Sequence, residues 1–254
     1  MNKIGSYIFI MINAFWAANS FANGNLSDNI RINSEVLGYT LQYRVYTPEK
    51  MNKLSDLPSI YVTDGNGYIT EGRMVEVMDK LISDGKMKPV IAIFVDSRNP
   101  DNLDENRRNY QLLCNEHYAQ FFVSELIKEI ESNYPVSKNR NNRIIQGVSF
   151  GGLNAACFGL MAYNYFGGIS MHSPANSNFL SELKSDYENI ERLPLKMFLS
   201  FGNEQDNRRA GRQFKNVLVK KNYDLTYKEV REGHNWRNWR PLIDDALLTF
   251  FSND

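Results

Sequence analysis

Apolar and polar residues alternate along this chain in two rhythms. Nearly unbroken apolar runs of strand length fall at Leu41 to Tyr46, Ser59 to Thr63, Val90 to Asp96, Arg143 to Gly147, Gly167 to Met171, Lys196 to Phe201 and Leu225 to Val230. Between and after them, apolar residues recur at helical spacing over Arg73 to Ser83, Tyr118 to Tyr134, Leu153 to Tyr163, Arg209 to Lys220 and Leu242 to Phe251. A short run that is apolar throughout must be covered on both faces, and amphipathic helices are what cover it. The pattern predicts an α/β protein with a mostly parallel central sheet of about eight strands and helices on both sides. The first two strands are joined too briefly for a helical crossover, which predicts an antiparallel start. Ser97 to Asn115, rich in Asn, Asp and Arg, reads as a long exposed excursion.

The first residues follow neither rhythm. "MNKIGSYIFIMINAFWAANSFA" has one cation, Lys3, then a short apolar stretch, then Ser20-Phe21-Ala22, the small-x-small ending of a signal-peptidase site. Residues 1–22 are therefore expected to be a cleaved signal peptide and residues 23–254 one domain, periplasmic or secreted. Lys3 is the only charge lost on cleavage, so 29 cations against 29 anions become 28 against 29, a net charge of −1. A neutral chain offers no general attraction to nucleic acid or to an anionic membrane, and neither is expected as a partner. The basic clusters Lys138 to Arg143 and Arg208 to Arg212 read as solvated faces. The two cysteines, Cys114 and Cys157, leave a disulfide open, with a buried Cys157 thiol as the plainer expectation.

One junction carries chemistry. Gly147-Val148-Ser149-Phe150-Gly151 is G-x-S-x-G at a strand-to-helix boundary, where a sharp turn lifts a serine hydroxyl clear of the sheet. The amide of Phe150, at the helix start, is then placed to face a developing oxyanion. Serine needs a base, and the chain has three histidines. In this arrangement the order is Ser, acid, His, and His234 alone follows the last strand; His117 precedes the serine and His172 precedes any acid. The acid should lie in "GNEQDNRR", where Asp206 is the expected residue, Glu204 is the alternative, and a pure capping role competes for Asp206.

With these residues in view, the chain resembles the Putative esterase family of α/β-hydrolases, which groups enterochelin-type siderophore esterases, feruloyl esterases, S-formylglutathione hydrolases and mycolyltransferases. The matching segments are "YVTDGNGY" from Tyr61, "GVSFGG" from Gly147, "FGNEQDN" from Phe201 and "EGHNWRNWR" from Glu232. The Gly-His-x-Trp-x-x-Trp-Arg ending, Gly233 to Arg240, is similar to the enterochelin esterase-like branch in particular. The resemblance implies ester or thioester hydrolysis through an acyl-enzyme, with Asp64-Gly65-Asn66 supplying the second oxyanion amide, from Gly65 or Asn66. Relatives often carry Arg-x-x-Glu-Leu where this chain has Arg108-Asn109-Tyr110-Gln111-Leu112, which departs from that pattern by losing the Glu and its charged contact; Arg108 is among the expected substrate-binding residues.

Trp236, Trp239 and Arg240 beside His234 suit a flat aromatic or sugar-like ester that is anionic in part, and packing of the terminal helix is the competing use of the indoles. No Walker loop, H-E-x-x-H or zinc-spaced cysteine pair occurs, so neither a metal nor a cofactor is expected. Acyl transfer to an alcohol needs the same three residues, and a silent binding member of the fold is the rival outside enzymes.

Overall fold

The computed structural model describes residues 24–49 and 51–253. The expected signal peptide lies outside the described residues. The chain runs through β1 (Asn25–Leu26), β2 (Ile30–Ser34), β3 (Tyr39–Thr47), β4 (Ser59–Val62), α1 (Gly65–Thr70), α2 (Met74–Ser83), β5 (Ile91–Asp96), β6 (Arg98–Asn99) and β7 (Asn102–Asn106). Then follow α3 (Arg108–Leu112), α4 (Glu116–Phe121), a π-helical turn at Phe122–Leu126, α5 (Ile127–Asn133), β8 (Arg143–Val148), α6 (Phe150–Met161), β9 (Gly168–His172) and α7 (Ser177–Asn189). The last elements are β10 (Lys196–Gly202), α8 (Arg208–Lys220), β11 (Asp224–Val230), the single turn α9 (Trp236–Trp239) and α10 (Ile243–Phe251).

Nine strands form one mixed sheet in the order β1-β3-β5-β4-β8-β9-β10-β11, with β2 also on β3. From β5 through β11 every pairing is parallel, while β3 is antiparallel to β5, β2 and β1. The antiparallel start is present, but β5 stands between the first two predicted strands, so β3 and β4 run in opposite directions without touching.

Period-two alternation sorts each strand onto two cores. Ile91, Ile93 and Val95 of β5 face the core under α4 to α8, and Ala92 and Phe94 face the other, under α1, α2 and α10. Ile60 and Val62 join the second core, whereas Tyr61 between them joins the first. At about 25 cal/mol per Å² of apolar surface removed from water, these two cores hold the sheet rigid enough to aim a side chain.

Four expectations change. Ser177–Asn189 is a helix the pattern did not predict, burying Leu180, Leu183 and Tyr187. The 97–115 excursion is a β6–β7 hairpin and α3, with an exposed outer strand but a buried Gln111 and Leu112. The 138–143 cluster is a solvated face only in part, exposed at Lys138, Asn139 and Asn141 but not at its arginines. Arg143 is 3% exposed, with its guanidinium on Glu131 and on the carbonyl of Tyr165, and Arg140 donates to the carbonyls of Tyr163, Phe166 and Pro194. Cys157 is not a free thiol, since Cys114 and Cys157 form a disulfide with their Cα atoms 5.4 Å apart.

Candidate active site

The carboxyl ends of β4, β8, β9, β10 and β11 meet along one rim of the sheet, the usual place for a site in a parallel α/β array. Ser149 stands there between β8 and α6 with φ 58° and ψ −121°, a conformation that residues with a Cβ rarely adopt. The turn is possible because its neighbours have no side chain. A Cβ on Gly147 would sit 2.3 Å from the Gly151 carbonyl carbon, and one on Gly151 would sit 2.6 Å from Thr63 Oγ1. The strain is held by backbone bonds on both sides. The Ser149 N–H donates to the His172 carbonyl at 2.9 Å, and its own carbonyl accepts from Leu153 and Ala175.

His234 reaches the same point from the loop after β11. Its Nε2 lies 2.8 Å from Ser149 Oγ and its Nδ1 lies 2.8 Å from Asp206 Oδ1. With the carboxylate accepting at Nδ1, the hydrogen sits on that nitrogen and Nε2 is left to accept from the serine. The Asp206 carboxylate has no solvent exposure. Burial pushes its pKa upward, but hydrogen bonds from His234, Ser173 and the backbone N–H groups of Gly202 and Asn207 outweigh burial and hold it below the ordinary value. Glu204 points elsewhere and pairs with Arg231 at 2.8 Å on the surface. Asp206 does not act as a helix cap by its position, since Asn207 is the residue before α8.

The other predicted residues separate into those at the serine and those beside it. Phe150 is the first residue of α6 and Gly65 and Asn66 open α1, so none of these amides has a preceding helical turn to bond. A cleft of about 440 Å³ over Ser149 is lined by Asn66, Arg108 and both Trp236 and Trp239. Arg108 spends Nε and Nη2 on the partly buried Asp64 at 2.6 and 2.8 Å, with Nη2 also 3.3 Å from the Val148 carbonyl. Burial raises the Asp64 pKa, and the hydrogen bonds and charge of Arg108 pull it the other way. Arg240 is not at the serine; it lines a separate groove of about 700 Å³ that shares Trp236 as a wall. Trp239 is 7% exposed, its ring against His234 and Trp236 and its Nε1–H on Ser173, so packing is much of its use.

Three groups in or near the cleft escaped the sequence reading. Asp96 ends β5, and Arg98 and Asn106 come from the excursion after it; all three line the cleft, and the signal for them was their position at or after the carboxyl end of a central strand. His117 is on an exposed helical surface, and His172 is buried under the rim, with burial pushing its pKa down to about 3. Among the described residues no three His, Cys, Asp or Glu side chains gather in a way that could hold a metal ion. Among them, too, no helix is long and apolar enough to cross a membrane.

The family model described as Putative esterase matches residues 34–250. The chain belongs to the Putative esterase family. As a member it is a carboxylic ester hydrolase, and its sheet and helices have the α/β-hydrolase fold. YjcH, an uncharacterized protein of Bacillus subtilis strain 168, is 25% identical over 236 residues, 89% of this chain and 97% of its own length. An acetyl esterase of Caldicellulosiruptor saccharolyticus is 23% identical over 220 residues, 71% of this chain and 80% of that protein. The solved enterobactin esterase of Shigella flexneri superposes with a TM-score of 0.77 at 20% identity, over 88% of this chain and 58% of that one. That likeness is one of fold.

Proposed function

We propose that this family member is an exported serine esterase working through an acyl-enzyme on Ser149. The observation that carries the reading is the unbroken chain Ser149 Oγ, His234 Nε2, His234 Nδ1, Asp206 Oδ1, with 2.8 Å at both links to the imidazole. In the proposed sequence Ser149 attacks the ester carbonyl while His234 takes its proton. The tetrahedral oxyanion is held by the amide of Phe150 and by that of Gly65 or Asn66. As the carbonyl re-forms, the alkoxide leaves with the proton from His234, and the acyl group stays on the serine. Water, deprotonated by His234, then attacks the acyl-enzyme, and carboxylic acid and free serine are restored. Asp206 keeps the imidazole in the required tautomer throughout.

An ester with a flat aromatic or sugar-like part, such as a siderophore ester, is the substrate class we favour. Support comes from Trp236, half-buried at the edge of the cleft with its ring edge-on to Tyr68 at 5.3 Å, and from the enterobactin esterase among the solved neighbours. The test is turnover of acetyl, aryl and catecholate esters by the purified mature protein, with acceptor alcohols present and absent. Aryl esters should be hydrolysed best, and Trp236→Ala should raise KM for them far more than for an acetyl ester. No turnover of any ester would sink the reading, and equal losses on both ester types with a lower Tm would return Trp236 to packing alone. Faster product formation with an alcohol present would move the reaction to acyl transfer.

Export is supported by the character of residues 1–22 and by the disulfide, a bond that persists where thiols are not kept reduced. The intact mass of protein recovered from periplasm or medium should correspond to a chain beginning at Asn23. Full-length chain retained in the cytosol would overturn the proposal.

A further inference from the structure

The turn after His234 has a second face, directed away from substrate. Asn235 caps α9, its side chain accepting from the Arg237 N–H at 2.9 Å, and the single helical turn brings residues 238 and 239 back beside the acid. Trp236 lies at the cleft and Arg237 in solvent, whereas Asn238 is fully buried and Trp239 nearly so. Both inward side chains converge on one hydroxyl. Trp239 Nε1–H donates to Ser173 Oγ at 2.8 Å, and Asn238 Nδ2 lies 3.2 Å from the same oxygen. Ser173 in turn donates to Asp206 Oδ2 at 2.6 Å, and Oδ2 also accepts from the Gly202 N–H at 2.8 Å.

Ser173 is an unusual residue for its backbone. It follows β9 with φ 43°, is fully buried, and lines none of the clefts that open on Ser149 or His234. Glycine would occupy that conformation at lower cost, so the position tolerates a side chain for the sake of what the hydroxyl does. The two oxygens of Asp206 divide their partners. Oδ1 serves His234 and the Asn207 N–H, and Oδ2 serves Ser173, Gly202 and Asn238. Holding Oδ2 stops the carboxylate from rotating about its Cβ–Cγ bond, and that fixes the direction in which Oδ1 accepts from the imidazole.

We infer that Ser173, itself gripped by Trp239 and Asn238, is a positioning residue that aims Asp206 at His234. The inference rests on the serine-esterase reading above. It also gives Trp239, which lines the cleft beside Trp236, a task on the acid side that Trp236 does not share.

A double-mutant cycle on ester hydrolysis by the full mature protein tests it. Ser173→Gly, which keeps the backbone and deletes only the hydroxymethyl, should lower kcat about 10- to 100-fold with KM unchanged. Trp239→Phe, which keeps the packing and removes the N–H, should lower kcat about three- to tenfold and serves if the glycine variant fails to fold. In an Asp206→Asn background both losses should shrink to less than about twofold, because a residue acting through the carboxylate has nothing left to aim. Losses of the same size in both backgrounds, or a loss carried by KM, would overturn the inference while leaving the esterase intact. Turnover that survives Ser149→Ala would remove the serine-esterase reading first, and this inference with it.

Discussion

Ser149→Ala and His234→Ala should each lower ester turnover by about three orders of magnitude or more, with the fold unchanged. Among the described residues the serine hydroxyl has one side-chain partner, His234 Nε2, and the unusual backbone at φ 58° is held by amide and carbonyl bonds that alanine keeps. His234 is 29% exposed and packs edge-on against Trp239 at 5.0 Å, so its loss opens the cleft side without emptying the core. The double variant should be no slower than either single one, because a nucleophile without its base and a base without its nucleophile fail at the same step. Activity remaining above the water rate would come from the oxyanion amides of Phe150 and Gly65 or Asn66. Steady-state kinetics together with phosphonate labelling check this; a label on any other residue would reassign the nucleophile.

Asp206→Asn should cost about two to four orders of magnitude in kcat, and Glu204→Gln should cost almost nothing. An asparagine fits the same space but offers its amide to the imidazole in the wrong sense. The ring then turns its hydrogen toward Ser149, and Nε2 can no longer accept the proton. Glu204 is a half-exposed surface residue whose partner, Arg231, is 88% exposed, and exposed pairs of this kind contribute at most about 1 kcal/mol. The opposite order of effects would transfer the role to Glu204, and no effect from either would indicate a serine–histidine pair working alone.

The readable and unreadable parts of this chain differ in where their information lies. Central strands such as β5 were legible because burial on both faces leaves nothing but apolar residues, a signal contained in the five consecutive positions from Ile91 to Val95. The helix at Ser177–Asn189 was not, since three buried residues among ten polar or half-exposed ones give a weak stripe, and only the neighbouring α8 shows why that stripe suffices. Arg140 and Arg143 looked like surface because charge usually is; their carbonyl partners, Tyr163, Tyr165, Phe166 and Pro194, come from segments that the sequence does not mark as close. At the site, G-x-S-x-G and the order of the histidines could be read locally. Which of two carboxylates two residues apart faces the imidazole depends on the direction in which the loop after β10 turns, and on a serine thirty-three residues earlier that holds one oxygen in place.

The disulfide ties two parts of the site to each other. Cys114 closes the segment that supplies Arg98, Asn106 and Arg108 to the cleft, and Cys157 lies within the helix that begins beside Ser149. The 43-residue separation contains β8 and the elbow itself, and a loop of that length corresponds to about 4 kcal/mol of chain entropy removed from the unfolded state. In the folded chain β8 lies between β4 and β9, and the bond spans it to join the segment just after α3 to α6. The bond therefore makes one wall of the cleft and the helix that begins beside Ser149 a single covalent frame.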